Sequence, residues 1–234
     1  MRFHCLFEQS GTFKNVFKEH GHHAFDYDIL NDYGQTDYQI DLFAEISKAW
    51  DKHIDGKSGD SYNSIFDKMT PDNDFVVAFF PSTYFSSQNE LVFQGWRGIG
   101  NARNKTKKDI QWIIKREHMR ALYFEYFLKF CYLMDKLKLK TIIENPLNFN
   151  KRNYLNLYSP YRPVFIDENR SLFGDDKIKP TMFFAINFEM KETFLMFEQR
   201  LTKPINNLSQ KKRSEISPRY AENFYKRFID GRCA

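Results

Sequence analysis

Cysteine is scarce. Cys5, Cys131 and Cys233 are the three in 234 residues, too few and too scattered for a disulfide framework or a CxxC metal site. Their scarcity agrees with a reducing compartment and implies no structural zinc. Long apolar runs are missing as well. No segment approaches the roughly 20 residues that cross a bilayer, and the start "MRFHCLFEQSG" lacks the apolar stretch and small-residue cleavage site of a signal peptide. The expectation is a soluble, cytoplasmic protein with no membrane partner. Low-complexity tracts and internal repeats are also absent, which leaves residues 1–234 to build one large domain around a single core.

What the chain does carry is 42% apolar residues and an uneven excess of positive charge, +5 net. The segment from Arg97 to Arg120 sets Arg97, Arg103, Lys105, Lys107, Lys108, Lys115, Arg116 and Arg120 against Asp109 and Glu117. Such a run suits a polyanion such as DNA, or else it is a solvated helix face. The tail from Lys211 to Arg232 is basic too. An aromatic content of 18% can supply stacking surfaces for bases, and a general bias towards Phe, Tyr, Lys and Asn explains it equally well.

Strands alternate with helices along the chain. "RFHCLF" reads as a strand, "GTFKNVFKEHG" as a helix with Phe13, Val16 and Phe17 on one face, and "HAFDYDI" as a second strand, a β-α-β unit. "TDYQIDLFAEISKAW" is a short strand entering a helix, and residues 51–64 are loop-like. "FVVAFF" is a buried strand stopped by Pro81, an irregular stretch follows, and "KKDIQWIIKREHMRALYFEYFLKFCYLMDKLKL" is a long helix. "KTIIENP", "PVFID" and "TMFFAINFEM" are further strands, and "SPRYAENFYKRFI" is a closing helix with Pro218 near its first turn. This alternation predicts an α/β fold with a mostly parallel sheet and helices on both faces.

In open sheets of that kind the chemistry sits in loops beyond the carboxyl ends of the strands. The first such turn, "FEQSGTF", offers Ser10, Gly11 and Thr12 where backbone N–H groups can receive an anionic or carboxylate-bearing ligand. About twenty residues on, the second strand ends at Asp26 and Asp28, where an acid commonly binds the ribose hydroxyls of a nucleoside cofactor. Asp41, after the third strand, is placed to meet the edge of an adenine. Each of these residues can instead cap a helix or a turn. Their order and spacing together favour the nucleoside cofactor. His20, His22 and His23, beside Gly21, read as a surface turn rather than a metal site.

Taken in order, "FEQSGTF", "YDILND", "QIDLF", "FFPSTYFS", "IIENP" and "KKRSEISPRYAENF" resemble the motifs of DNA cytosine-5 methyltransferases, especially compact phage-type members. The resemblance spans nearly the whole chain. It implies a Rossmann-like class I methyltransferase fold with S-adenosylmethionine near Phe7, Ser10, Gly11, Thr12, Asp28, Asp41 and Pro81. It also implies that Glu144 holds the ring-nitrogen edge of a cytosine flipped out of the DNA. In that family a thiolate adds to carbon 6 of the base, from a cysteine directly after the proline. Here that position is Ser82. A hydroxyl is a weak nucleophile without a neighbouring base, and no histidine adjoins this loop in sequence. Cys5, on the first strand, and Cys131, inside the long helix, are not placed to substitute.

Three accounts of Ser82 stand side by side: an engineered replacement of cysteine, a silent enzyme kept for binding, and a methyltransferase with different chemistry. Gln9 is a second departure, since the broader family has there the first glycine of its cofactor turn. A third is the short interval between Pro146 and Lys211, which has no room for the usual target-recognition region. "ENRSLFGDDKIKPTMFFAIN" resembles instead a stretch of the compact phage enzymes, which implies low sequence selectivity or a protein partner for recognition.

The resulting expectation is an S-adenosylmethionine-dependent DNA (cytosine-5) methyltransferase-like protein, inactive or impaired as it stands. Ser82 and Glu144 occupy the catalytic positions, and Arg97, Arg103, Lys105, Lys107 and Lys108 meet phosphates. The alternatives are a catalytically silent nucleic-acid-binding or regulatory protein and a methyltransferase of free pyrimidine nucleotides.

Overall fold

The computed structural model describes residues 1–85, 106–147, 153–192 and 215–231. In chain order the elements are β1 (Arg2–Leu6), α1 (Thr12–Glu19), β2 (His23–Asp28), β3 (Tyr38–Gln39), α2 (Leu42–His53), β4 (Asp74–Phe79) and α3 (Lys107–Lys136). There follow β5 (Lys140–Pro146), α4 (Tyr154–Tyr158), β6 (Phe165–Asp167), β7 (Thr181–Ile186) and α5 (Pro218–Phe228). The strands form one sheet in the order β3-β2-β1-β4-β5-β7-β6. The first five strands are parallel to one another, and β7 runs antiparallel to both β5 and β6. The fold is therefore α/β and Rossmann-like with a mostly parallel sheet, as the alternation of elements predicts. The reversed strand is not visible in the sequence pattern. It follows from the link between β6 and β7, which holds a single 3-10 turn, Arg170–Leu172, and no crossover helix of the kind parallel neighbours require.

Strand alternation divides the core. Phe3, Cys5, Phe75, Val77, Ile142 and Phe183 lie in the layer under α1 and α5, while Leu6, Val76, Ala78, Ile143, Met182 and Phe184 lie under α2 and α3. Each helix meets its layer with a stripe at helical spacing: Phe13, Val16 and Phe17 on α1, Leu42, Ile46 and Ala49 on α2, and Tyr220, Phe224 and Phe228 on α5. Both Cys5 and Cys131 are fully buried free thiols, and burial pushes each well above its ordinary pKa.

The folded chain gives His20, His22 and one arginine of the basic tail specific partners. His20, Gly21, His22 and His23 form an exposed to half-exposed turn into β2, in which His20 stacks on Tyr225 at 3.9 Å with Nε2 at 2.9 Å from Glu222 and His22 Nε2 lies 2.9 Å from the Tyr225 hydroxyl, so the turn also ties the end of α1 to α5. In the basic tail, Arg227 is fully buried and donates to both carboxylate oxygens of Asp167, at 3.0 and 2.7 Å. Small boundary differences remain: α2 runs on to His53, into the stretch read as loop, and α4 is an extra short helix. Among the described residues no helix is long and apolar enough to cross a membrane.

Candidate functional site at the carboxyl edge of the sheet

The strand order reverses between β1 and β4, and the chains leaving those two strands diverge, which opens a crevice beyond their carboxyl ends. Two of the quoted motifs meet there. After β1, Phe7 takes φ 59°, a left-handed conformation that an aromatic residue rarely adopts. Its N–H donates to the Tyr27 carbonyl at 2.8 Å, and its ring sits edge-on to Phe80 at 5.3 Å and 5.5 Å from Phe43. Gly11 has φ 70°, and a side chain there would begin 3.2 Å from Cβ of Gln35, so the turn requires glycine on both counts.

The N–H groups of this turn, expected to face a ligand, are partly used by the turn itself. Phe13 N–H donates to Glu8 Oε1 at 3.2 Å, the Ser10 hydroxyl donates to the same oxygen at 2.8 Å, and Thr12 N–H reaches Ser10 Oγ at 3.3 Å. Glu8 is buried and its Oε2 has no hydrogen-bond partner among the described residues. Burial is the main cause that pushes its carboxyl up to about 7, and the donors from Ser10 and Phe13 only partly offset it. A carboxylate already occupying a helix N-terminus disfavours a ligand phosphate there and suits a ligand group that is cationic or neutral.

At the end of β2, Asp26 is drawn away from the crevice. Its Oδ1 accepts from Lys14 Nζ at 2.9 Å, and Lys14 also pairs with Asp37 at 3.2 Å. Asp28 is the acid left at the edge: Oδ1 accepts Leu30 N–H at 2.8 Å, and partial burial raises the carboxyl above its ordinary value. Asp41 caps α2, accepting from Phe43 N–H at 3.0 Å and Ala44 N–H at 3.3 Å, and the residue is exposed.

The other wall is built by β4 and β5, whose register pairs Phe79 with Glu144, three residues before Ser82. Asn145 Nδ2 donates to the Phe80 carbonyl at 2.9 Å and Asn153 Nδ2 donates to Asn145 Oδ1 at 3.0 Å, so the "ENP" end holds the "FFPS" end in place. Beyond Pro81, the Ser82 carbonyl accepts Phe85 N–H at 3.0 Å and closes a tight turn. No base among the described residues hydrogen-bonds the Ser82 hydroxyl.

Glu144 is buried. Its Oε1 accepts from the Thr181 hydroxyl and lies 3.9 Å from Arg170 Nη1. Arg170 is fully buried, stacks over Tyr220 at 4.9 Å, and donates through Nε to Asp175 at 2.6 Å. Its Nη1 has no hydrogen-bond partner among the described residues and is turned towards Glu144. Lys179, half-buried, is pushed down to about 8 by desolvation first and by Arg170 second, with Glu144 acting the other way. A carboxylate beside an unfilled guanidinium N–H presents an acceptor and a donor together, the pairing a heterocyclic base edge requires.

The crevice thus gathers Phe7, Ser10, Gly11, Asp28 and Pro81 with Ser82 and Glu144, from four strand ends, on one edge. Lys107 and Lys108 are exposed at the start of α3, whereas Arg97, Arg103 and Lys105 lie outside the described residues. Glu8, Arg170 and Lys179 were not assigned roles from sequence, since a lone acid in a loop or an arginine after a short strand has no local signature. Comparison with protein-family models and with curated proteins returns no match.

Proposed function

We propose that the chain is an S-adenosylmethionine-binding, DNA cytosine-5 methyltransferase-like protein in which Ser82 blocks or greatly slows catalysis. The observation that carries this reading is the meeting of sequence-distant stretches from four strand ends, those of β1, β2, β4 and β5, on one edge of the sheet, with Ser82 and Glu144 on neighbouring strand ends. The strand order, with β7 reversed beside β5, supports it at the level of fold.

The residues fit the cofactor. Phe7 supplies a ring at the switch point, Asp28 has a carboxylate oxygen beyond its turn contact, and the Glu8 carboxyl disfavours a dinucleotide pyrophosphate while tolerating a sulfonium. When bound, S-adenosylmethionine supplies an electrophilic methyl group. Glu144 and Arg170 hold the ring-nitrogen edge of cytosine, and the Thr181 hydroxyl fixes the Glu144 rotamer. Ser82 occupies the position of the attacking group. Among the described residues no base hydrogen-bonds its hydroxyl, and this favours the second reading, a silent protein retained for binding.

The test is Ser82→Cys. A thiol with an ordinary pKa of about 8.5 has a usable thiolate fraction at neutral pH. The variant is expected to methylate cytosine in DNA and to form a covalent adduct with DNA carrying 5-fluorocytosine, where the parent does neither. Adding Glu144→Gln should slow both reactions by about 100- to 10,000-fold. Equal activity of serine and cysteine forms would place the nucleophile elsewhere. A cysteine form that binds cofactor and DNA yet neither methylates nor cross-links would make the silent binder the better account.

A further inference from the structure

At 30 residues, α3 is about 45 Å long at 1.5 Å per residue, whereas β4 and β5, the strands it connects, have six and seven residues and span roughly 20 to 23 Å. The surplus stands at the carboxyl edge. A helix that follows a strand starts at that edge, and the fully buried residues of α3 begin only at Phe127. Tyr84, in the turn directly after β4, marks the level: it meets Arg116 at 5.2 Å and Tyr123 at 4.9 Å. The turns before Arg116 therefore overhang the sheet on the side where Ser82 and Glu144 lie.

That overhang is not a purely polar, solvated face. Trp112 is 42% exposed on one side of the helix, and Ile110, 44% exposed, and Ile114, 62% exposed, stand one turn apart on another, large apolar groups that water does not favour. Trp112, Arg116 and Arg120 fall at i, i+4 and i+8, on one side of the helix. Rings and guanidinium groups alternate from there to the Ser82 turn. Arg116 lies 5.0 Å from the Trp112 ring and Arg120 4.5 Å from the Tyr154 ring. Tyr154 stacks on Phe85 at 6.1 Å and meets Tyr158, itself 63% exposed, at 4.7 Å. Around the rings stand exposed Lys107, Lys108 and Lys115, while the nearby acids are engaged, Asp109 in the cap with Thr106 and Glu117 with Arg120 at 2.6 Å.

We propose that this overhang is a stacking platform for unpaired bases of a single nucleic-acid strand, leading it to the Ser82 turn. The inference deepens the DNA reading given above and rests on it for the direction of the strand towards the crevice. Charge complementarity selects a polyanion over an apolar partner. The rings select an unpaired strand over a duplex, because a base offers its flat face only when it has left the stack, whereas a duplex is read by polar groups at base edges and phosphates. Stacking on such rings adds affinity without needing sequence readout.

Fluorescence anisotropy on the full chain, with a labelled 12-nucleotide pyrimidine strand and the duplex of the same sequence, tests this at low salt. The single strand is expected to bind at least tenfold tighter than the duplex. Trp112→Ala and Tyr158→Ala should each weaken it by about 5- to 100-fold, with Trp112→Phe restoring most of the loss. Trp112→Ala should leave the salt slope of single-strand binding unchanged, while Lys107→Ala with Lys108→Ala should flatten it by about 0.7 per lost phosphate contact. Tight duplex binding untouched by Trp112→Ala would overturn the platform. So would a dimer in sedimentation that Ile114→Asp dissociates, with no strand bound by either form. Calorimetry with S-adenosylmethionine separates the two readings: strand binding without cofactor binding sinks the methyltransferase and spares the platform, and cofactor binding without strand binding does the reverse.

Discussion

Two buried glutamates, Glu8 and Glu144, stand at the same edge of the same sheet, one after β1 and the other at the end of β5, in opposite electrostatic surroundings. Neutral donors from Ser10 and Phe13 meet Glu8, Asp26 is its repulsive neighbour, and burial pushes its carboxyl up to about 7. Arg170, at 3.9 Å, and Lys179 lie near Glu144, and a hydroxyl from Thr181 fixes it. The difference teaches that the two walls of the crevice are built for different ligand chemistry. One wall carries a carboxyl close to neutrality in its balance, beside the Phe7 ring and the Asp28 carboxyl group. The other is a donor–acceptor pair inside a cluster of opposite charges, suited to the polar edge of a base.

Removing the cation from the second wall breaks the contrast most severely. Arg170→Met leaves the Asp175 carboxylate and Glu144 buried beside no guanidinium, so a loss of about 3 to 5 kcal/mol in chemical denaturation is expected. A change below 1 kcal/mol would mean that the cluster opens to water and that Arg170 does not position Glu144.

Removing the charge from the first wall should have the opposite sign. With a folded-state value of about 7 and an ordinary value of 4.5, the folded protein holds the Glu8 proton where the unfolded chain has lost it. Stability attributable to this group is therefore full below the ordinary value and is lost as pH rises to about 7, by about 3 kcal/mol. His4, held below its ordinary value mainly by burial, changes stability in the other direction over part of that window, so the comparison must be between proteins rather than between pH values. Glu8→Gln keeps the acceptor for Phe13 and Ser10, and at pH 8 it should be more stable than the parent by up to that amount, with the advantage vanishing near pH 4. Parallel pH profiles for the two proteins would show that Glu8 titrates at its ordinary value.

The smallest of these effects sharpens the comparison without touching either glutamate. Asp28→Ala should weaken S-adenosylmethionine by about 10- to 100-fold in calorimetry, the loss of hydrogen bonds to a charged acceptor, with little change in stability because Asp28 is at the edge. Unaltered affinity would remove the ribose from this wall.

Much of this was legible along the chain because it rests on local chemistry. The apolar stripe of Phe13, Val16 and Phe17, the run "FVVAFF" ended by Pro81, and "KTIIENP" each specify an element by spacing or by a missing N–H, and alternation of elements then implies a mostly parallel sheet. The positions of Phe7, Gly11, Asp28, Ser82 and Glu144 at strand ends follow from the same reading. Tertiary structure alone decided the rest. The reversal of β7, the burial of Arg227 of α5 against Asp167, the diversion of Asp26 to Lys14, and the approach of Arg170 to Glu144 all depend on partners that no local pattern names. A charged side chain is tolerated inside only where partners from other elements converge on it, and a one-dimensional pattern carries no record of which elements those will be.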